Sequence, residues 1–219
     1  MLAVDTATER ESVALVAGGL VRAEVRLRTA DAHSRRLLPA IAFLLEAASL
    51  GAMEVEGYAV TVGPGSFTGL RVGLSTVQGL ALAARRPCLG VSTLDVMAES
   101  VRGEAPTLVA MMDASRAGQV FAAVYDGEAR RTDGPRAEAP ETLLARLSGP
   151  VAFVGEGADL HRAEIRGRHP GAVFPQRGLY LAGTLARMAE PRLVAGEGVP
   201  PGALRALYLR AADIRPSMP

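Results

Sequence analysis

Within Leu20–Arg28 the chain alternates without a break from Val21 on: Val21, Ala23, Val25 and Leu27 are apolar, and Arg22, Glu24, Arg26 and Arg28 are charged. A period of two places successive side chains on opposite faces of a strand, so this segment predicts a strand with one face in a core and one in water. Two shorter apolar runs precede it, Met1–Thr6 and Ser12–Ala17, and Gly18-Gly19 makes a tight turn between the second and third. Three strands joined by short turns, before any helical signal, exclude an all-helical chain.

The period then changes. After the polar stretch Thr29–Ser34, the residues Leu37, Leu38, Ile41, Leu44, Leu45 and Ala48 follow helical spacing to about Leu50, where Gly51 ends the helix. The apolar stripe is wide, as for a helix that touches two neighbours. Tyr58–Val62 predicts a fourth strand, Phe67 to Arg85 a second helix, Cys88–Val91 a fifth strand, and Ser92-Thr93-Leu94-Asp95 the start of a third helix with an acid in its first turn. The order β-β-β-α-β-α-β-α, ending near Gly103–Pro106, implies an α/β fold with a mixed sheet covered by helices, the order of a ribonuclease-H-like half. A second part restarts with strands at Thr107–Asp113 and Gln119–Tyr125. A polar stretch to Pro140 follows, then a helix near Glu141–Leu147, a strand at Val151–Val154, a weakly patterned region from Gly155 to Arg177 and a helix near Leu179–Ala189. Two subdomains are expected, 1–105 and a smaller, more divergent 106–219 whose last segment packs back on the first.

Composition narrows the chemistry. All 24 cationic residues are Arg, and Asn and Trp are absent too. Lysine-dependent Schiff-base chemistry and the G-x-x-x-x-G-K-[ST] phosphate loop are therefore excluded. The single cysteine, Cys88, allows no internal disulfide and reads as a buried small hydrophobe. At 49% hydrophobic and 21% charged residues the chain can build a core. Its N-terminus lacks the features of a signal peptide, and no apolar run is long enough for a membrane span, so a reducing, cytoplasmic home is expected. Net charge is +1 and evenly spread, with 10 Arg against 11 acids in residues 1–105. Aromatics make up only 4%, so a chain that grips RNA by itself is not expected.

The most specific string is Gly63-Pro64-Gly65-Ser66-Phe67-Thr68-Gly69-Leu70-Arg71-Val72-Gly73, between a strand and a helix. Glycine-rich loops at that place often hold phosphate on backbone N–H groups. Here the spacing misses the dinucleotide fingerprint, Pro64 removes one donor and Phe67 is bulky. The alternative is structural: Ser66 or Thr68 caps the helix, and Gly69 and Gly73 let another helix pack closely. Asp5-Thr6-Ala7-Thr8 carries two readings as well. It is either the acid-bearing hairpin that aligns a metal-bound nucleotide in actin-like ATPases, or a turn held by Asp and Thr side chains. Of His33, His161 and His169 none forms an i, i+4 histidine pair, and four residues after His33 stands Leu37, so no metal face is expected. His161 and His169 read as surface residues. Asp113 and Arg116 read as a local ion pair.

Leu2–Glu9 (Leu-Ala-Val-Asp-Thr-Ala-Thr-Glu), His33-Ser34-x-x-Leu37-Leu38-Pro39 and above all Gly63–Gly73 resemble the TsaB (YeaZ) family of bacterial tRNA threonylcarbamoyladenosine biosynthesis. Ser92-Thr93-Leu94, Asp113-Ala114-x-Arg116-x-Gly118-x-Val120-Phe121 and Tyr208-Leu209-Arg210 extend the match, which thins after Asp126. The resemblance implies an actin-like (ASKHA) fold of two related βββαβαβα-type halves, the second less regular. It further implies a non-catalytic subunit that binds the transferase TsaD, meets the ATPase TsaE through the complex and pairs with itself when alone. In that reading tRNA is reached mainly through the complex, and neither cofactor, metal nor membrane is involved. Leu38, Ile41, Leu45, Gly69, Val72, Gly73 and Thr76 would form the partner or dimer interface. Gly63, Pro64, Gly65, Ser66, Phe67, Thr68 and Arg71 would be the family's motif loop, and Asp5, Thr6 and Thr8 a vestigial nucleotide loop. The different-class alternatives are an actin-like ATPase or sugar kinase, or a metal-dependent glycoprotease.

Overall fold

A computed structural model describes residues 1–28, 33–114 and 118–209, and the side chains of 35–47 within the first helix. His33, Arg116 and Arg210 from the sequence motifs therefore lie outside the described side chains. Strands β1 (Leu2–Asp5), β2 (Arg10–Ala17), β3 (Leu20–Arg28), β4 (Tyr58–Thr61) and β5 (Cys88–Val91) form one sheet in the order β3-β2-β1-β4-β5. The β1–β2 and β2–β3 pairs are antiparallel, and β1–β4 and β4–β5 are parallel. Strands β6 (Thr107–Asp113), β7 (Val120–Asp126), β8 (Arg131–Glu138) and β9 (Val151–Val154) form the second, in the order β8-β7-β6-β9. Its pairings repeat those of the first sheet without a fifth strand: β6–β7 and β7–β8 antiparallel, β6–β9 parallel. The chain is thus two related α/β halves, the second less regular.

Burial explains the strand sequences. Helices α1 (His33–Ala47) and α2 (Phe67–Ala84) cover one face of the first sheet, where Leu2, Val4, Val13, Leu15, Tyr58 and Val60 meet Leu37, Ile41, Leu44, Leu45 and Val77. The opposite face is lined by Ala3, Ala14, Ala59, Leu89 and Val91. Against it pack α3 (Thr93–Ser100) and α7 (Ala182–Val194), and beyond them Leu108, Ala110 and Met112 of the second sheet. A strand buried on both faces needs a continuous apolar run, which is how β1 reads. The outer face of the second sheet carries Val109, Met111, Val124 and Phe153 under α4 (Pro140–Ala145), α5 (Glu156–Leu160) and α6 (Arg162–Arg168).

Three segments depart from the sequence reading. In β3 a register shift opposite Leu15/Val16 turns Val21 to the inter-sheet core, while Ala23, Val25 and Leu27 face α1 and α2. The polar stretch after Asp126 holds the edge strand β8, and the region from Gly155 to Arg177 holds α5 and α6. The last helix also belongs to the first sheet in space. Small residues on both sides, Ala182, Ala186 and Ala189 against Ala3, Ala14 and Ala59, permit the close approach. Ser12 Oγ accepts from the Ala182 N–H at 3.1 Å and Glu24 from the Gly183 N–H at 3.3 Å, so side chains of β2 and β3 satisfy the first donors of α7. The segment after α7 continues along the same half: Val199 bridges Cys88, and the Leu207 N–H donates to the Val62 carbonyl at 2.7 Å.

Candidate functional site

Strands β1 and β4 lie side by side and parallel, so the turn after Asp5 and the loop after Thr61 leave the sheet at the same edge. The two motif segments meet there. Asp5 and Thr6 are fully buried, and one Asp5 carboxylate oxygen accepts from the Thr61 hydroxyl at 2.7 Å and the Ala7 N–H at 3.2 Å. Thr8 Oγ1 accepts from the Arg10 N–H at 3.1 Å. These are the bonds of a side-chain-held turn.

The glycine-rich loop lies against this turn. The Ser66 N–H donates to the Ala7 carbonyl at 2.8 Å, and Ser66 Oγ caps α2 by accepting from the Gly69 N–H at 3.2 Å. A Cβ on Gly65 would stand 2.5 Å from the Ala7 carbonyl oxygen, one on Gly69 2.1 Å from the Thr6 carbonyl oxygen, and one on Gly73 2.3 Å from Thr6 Oγ1. Gly63 has φ +114°, a conformation open to glycine, and a Cβ there would meet the Leu207 carbonyl at 2.6 Å. The missing side chains at 65, 69 and 73 are therefore occupied by the chain's own turn. This corrects the expectation that Gly69 and Gly73 admit another helix.

Other named residues separate by exposure. On α1, Leu38 is 54% exposed while Ile41 and Leu45 point into the core at 3% and 8%, so the last two present no side chain to a partner. Val72 and Thr76 of α2 are half-buried, and Phe67, Thr68 and Arg71 are exposed. Leu37 and Cys88 are fully buried. His161 and His169, expected at the surface, are half-buried: His161 Nδ1 lies 3.3 Å from Glu164 and His169 Nε2 3.1 Å from the Leu144 carbonyl. Among the described residues no three His, Cys, Asp or Glu side chains are grouped to hold a metal.

Sequence reasoning missed two neighbours of the site. Tyr208 returns from the far end of the chain to lie 5.7 Å from Phe67, ring centre to ring centre, a contact with no local sequence signal. Glu156 begins α5 near Arg10, Asp5 and Asp113, which brings the two sheets' strand ends together. Burial there raises its carboxyl above the ordinary range, with Arg10 opposing the shift and the two aspartates adding to it.

Residues 12–155 match the family model described as TsaD, tRNA N6-adenosine threonylcarbamoyltransferase. The chain is 39% identical over 166 residues to the tRNA threonylcarbamoyladenosine biosynthesis protein TsaB of Escherichia coli (strain K12), spanning 72% of this chain and 71% of that one. The chain belongs to the TsaB family. The solved structure of YeaZ from Pseudomonas aeruginosa superposes with a TM-score of 0.77 at 32% identity, over 95% of this chain and 98% of that one. The ethanolamine utilization protein EutJ of Carboxydothermus hydrogenoformans shares the fold alone, with a TM-score of 0.53 at 13% identity over 85% of this chain and 88% of that one. TsaB-type sequence and a two-half α/β architecture thus coincide in one chain. Among the described residues no helix is long and apolar enough to cross a membrane.

Proposed function

We propose that the chain acts in tRNA threonylcarbamoyladenosine formation as a non-catalytic subunit that docks a TsaD-type transferase through α1 and α2. The observation that carries this reading is where apolar surface is left over. Of eleven large hydrophobics exposed among the described residues, five, Leu38, Phe43, Leu50, Met53 and Leu82, lie along α1, α2 and the connection after α1, away from the first turn of α2. Exposed apolar residues concentrated on one pair of helices mark an interaction surface. Leu38, Val72 and Thr76 supply the docking contacts in this reading, and Ile41, Leu45, Gly69 and Gly73 hold the helices that present them. The transferase carries the threonylcarbamoyl group to N6 of the adenosine beside the anticodon, TsaE joins through the complex, and this chain pairs with itself when the transferase is absent. The glycine loop supports the non-catalytic part, because its close-approach positions face Thr6 and Ala7. Modification of tRNA reconstituted with TsaD, TsaE and the adenylate-forming enzyme, with and without this chain, tests the proposal. Strong dependence on the chain is expected, and undiminished modification without it removes the proposal.

A further inference from the structure

We propose that Phe67, Arg71 and Tyr208 form a direct RNA contact, a small stacking platform flanked by arginines, placed beside the docking helices. This rests on the tRNA-modification reading and adds a contact that the reading does not require. The guanidinium of Arg71 lies 3.8 Å above the Phe67 ring, and its Nε is 3.5 Å from the Tyr208 hydroxyl. Phe67 and Tyr208 are nevertheless 43% and 46% exposed. The chain has only nine Phe and Tyr residues, so two that touch each other in water form an uncommon surface for it.

Charge selects the occupant. Among the described residues Arg71 has no carboxylate partner. By topology β3 runs parallel to β1 and β4, so the ends of β3 and β4 and the starts of α1 and α2 share one edge of the fold. That edge carries the exposed Arg28, Arg35, Arg36 and Arg71, with Glu9 the exposed acid in the neighbouring turn. Neither α1 nor α2 has an acid in its first turn. An acidic or aliphatic protein surface would satisfy one of these properties. Phosphates beside unstacked bases satisfy both, through arginine charge and through aromatic faces on which any base can stack. The evenly balanced net charge fits a contact used once a partner holds the RNA.

The test uses the complex with the transferase and an RNA hairpin carrying the anticodon loop, with 4-thiouridine in the loop for photocrosslinking. Crosslinks are expected on the peptides containing Phe67 or Tyr208. Phe67→Ala is expected to weaken hairpin binding about 5-fold or more, the loss of one stacked base. Arg71→Gln is expected to weaken it and to lower the salt dependence by roughly one phosphate contact. Assembly, followed by sedimentation, and the thermal melt remain as in the parent. Parent-like affinity in both variants with no crosslink to these peptides overturns the inference. Lost assembly with parent-like RNA affinity in whatever complex remains marks the patch as a protein interface and also overturns it. If the parent chain fails to assemble at all, the proposed function fails, and low-salt crosslinking of the hairpin to the chain alone still decides the RNA contact.

Discussion

The Thr6 hydroxyl donates to the Gly69 carbonyl at 2.8 Å across 63 residues of sequence, tying the first turn of the chain to the first turn of α2. Around that bond the two most recognisable motifs are one packed unit: Asp5 held by Thr61, Ser66 bonded to Ala7, and glycines wherever a Cβ would strike Thr6 or Ala7. The motif loop is thereby a device for fixing where α2 begins. Its glycines set how α2 lies on the sheet, and through it where Val72, Thr76 and Arg71 stand.

Alanine at either helical glycine separates two kinds of clash. Gly69→Ala drives a methyl into the Thr6 backbone carbonyl, which no side-chain change at Thr6 removes. Gly73→Ala meets the Thr6 hydroxyl, which Thr6→Ala does remove. Each single change is expected to cost roughly 1–3 kcal/mol, the usual range for overpacking. In the Thr6→Ala background the cost at Gly73 should fall by about 1 kcal/mol or more, and the cost at Gly69 should not. Denaturant unfolding of the double-mutant cycles measures both. Equal coupling at the two positions would contradict the geometry.

Exposure on α1 gives a second contrast. Leu38→Arg alters a half-exposed position and is expected to change stability by no more than about 0.5 kcal/mol while weakening association with the transferase. Ile41→Ala empties a site that is 3% exposed and is expected to cost about 2–5 kcal/mol. Thermal melts and sedimentation equilibrium check the pair. A Leu38→Arg chain that associates like the parent removes Leu38 from the docking surface.

How much of this was legible in the sequence depends on how local each signal is. The first-half order, the helix start at Phe67 and the strands Cys88–Val91 and Val151–Val154 read directly, because period and caps are short-range properties. Strand β8 did not. Its sequence Arg-Thr-Asp-Gly-Pro-Arg-Ala-Glu has no apolar alternation, and as an edge strand beside β7 it needs none. The partners of α7 were invisible for another reason: Ser12 and Glu24 lie about 160 to 170 residues away. The glycines of α2 signalled close approach correctly and their neighbour incorrectly, since a missing Cβ reveals that something is near and nothing about what. Tyr208 beside Phe67 is likewise a long-range contact.

Glu156 predicts the pH response between the halves. Its native pKa is raised, chiefly by burial, so the native state holds a proton more tightly than the unfolded chain does. The sign follows from linkage: stability from this group is complete below the ordinary carboxyl range and declines as pH rises through the native value. Glu156→Gln cannot ionise, and it is expected to lose that decline. Melting temperatures of parent and variant, measured from about pH 4 to 7, should therefore converge at the acid end and favour the variant towards neutrality. A variant that loses ground as pH rises would reverse the assignment.

Cys88 offers a probe of the returning C-terminal segment. It is fully buried in β5, its N–H donates to the Val199 carbonyl at 3.0 Å, and its thiol lies 3.4 Å from the same oxygen. Burial pushes the thiol up to about 11, so the nucleophilic thiolate is scarce at neutral pH as well as shielded. The native chain is expected to react with an aromatic disulfide reagent at pH 8 far more slowly than the denatured chain does. The residual rate should report opening of the 199–207 segment, because that segment closes over β5 through Val199 and Leu204. Leu204→Ala removes a side chain that is 4% exposed and packs at Gly90, and it should raise the labelling rate more than Leu144→Ala in the second half, at equal loss of global stability. If both variants label at the same rate, Cys88 is exposed only by global unfolding, and the returning segment is as firmly held as the core beneath it.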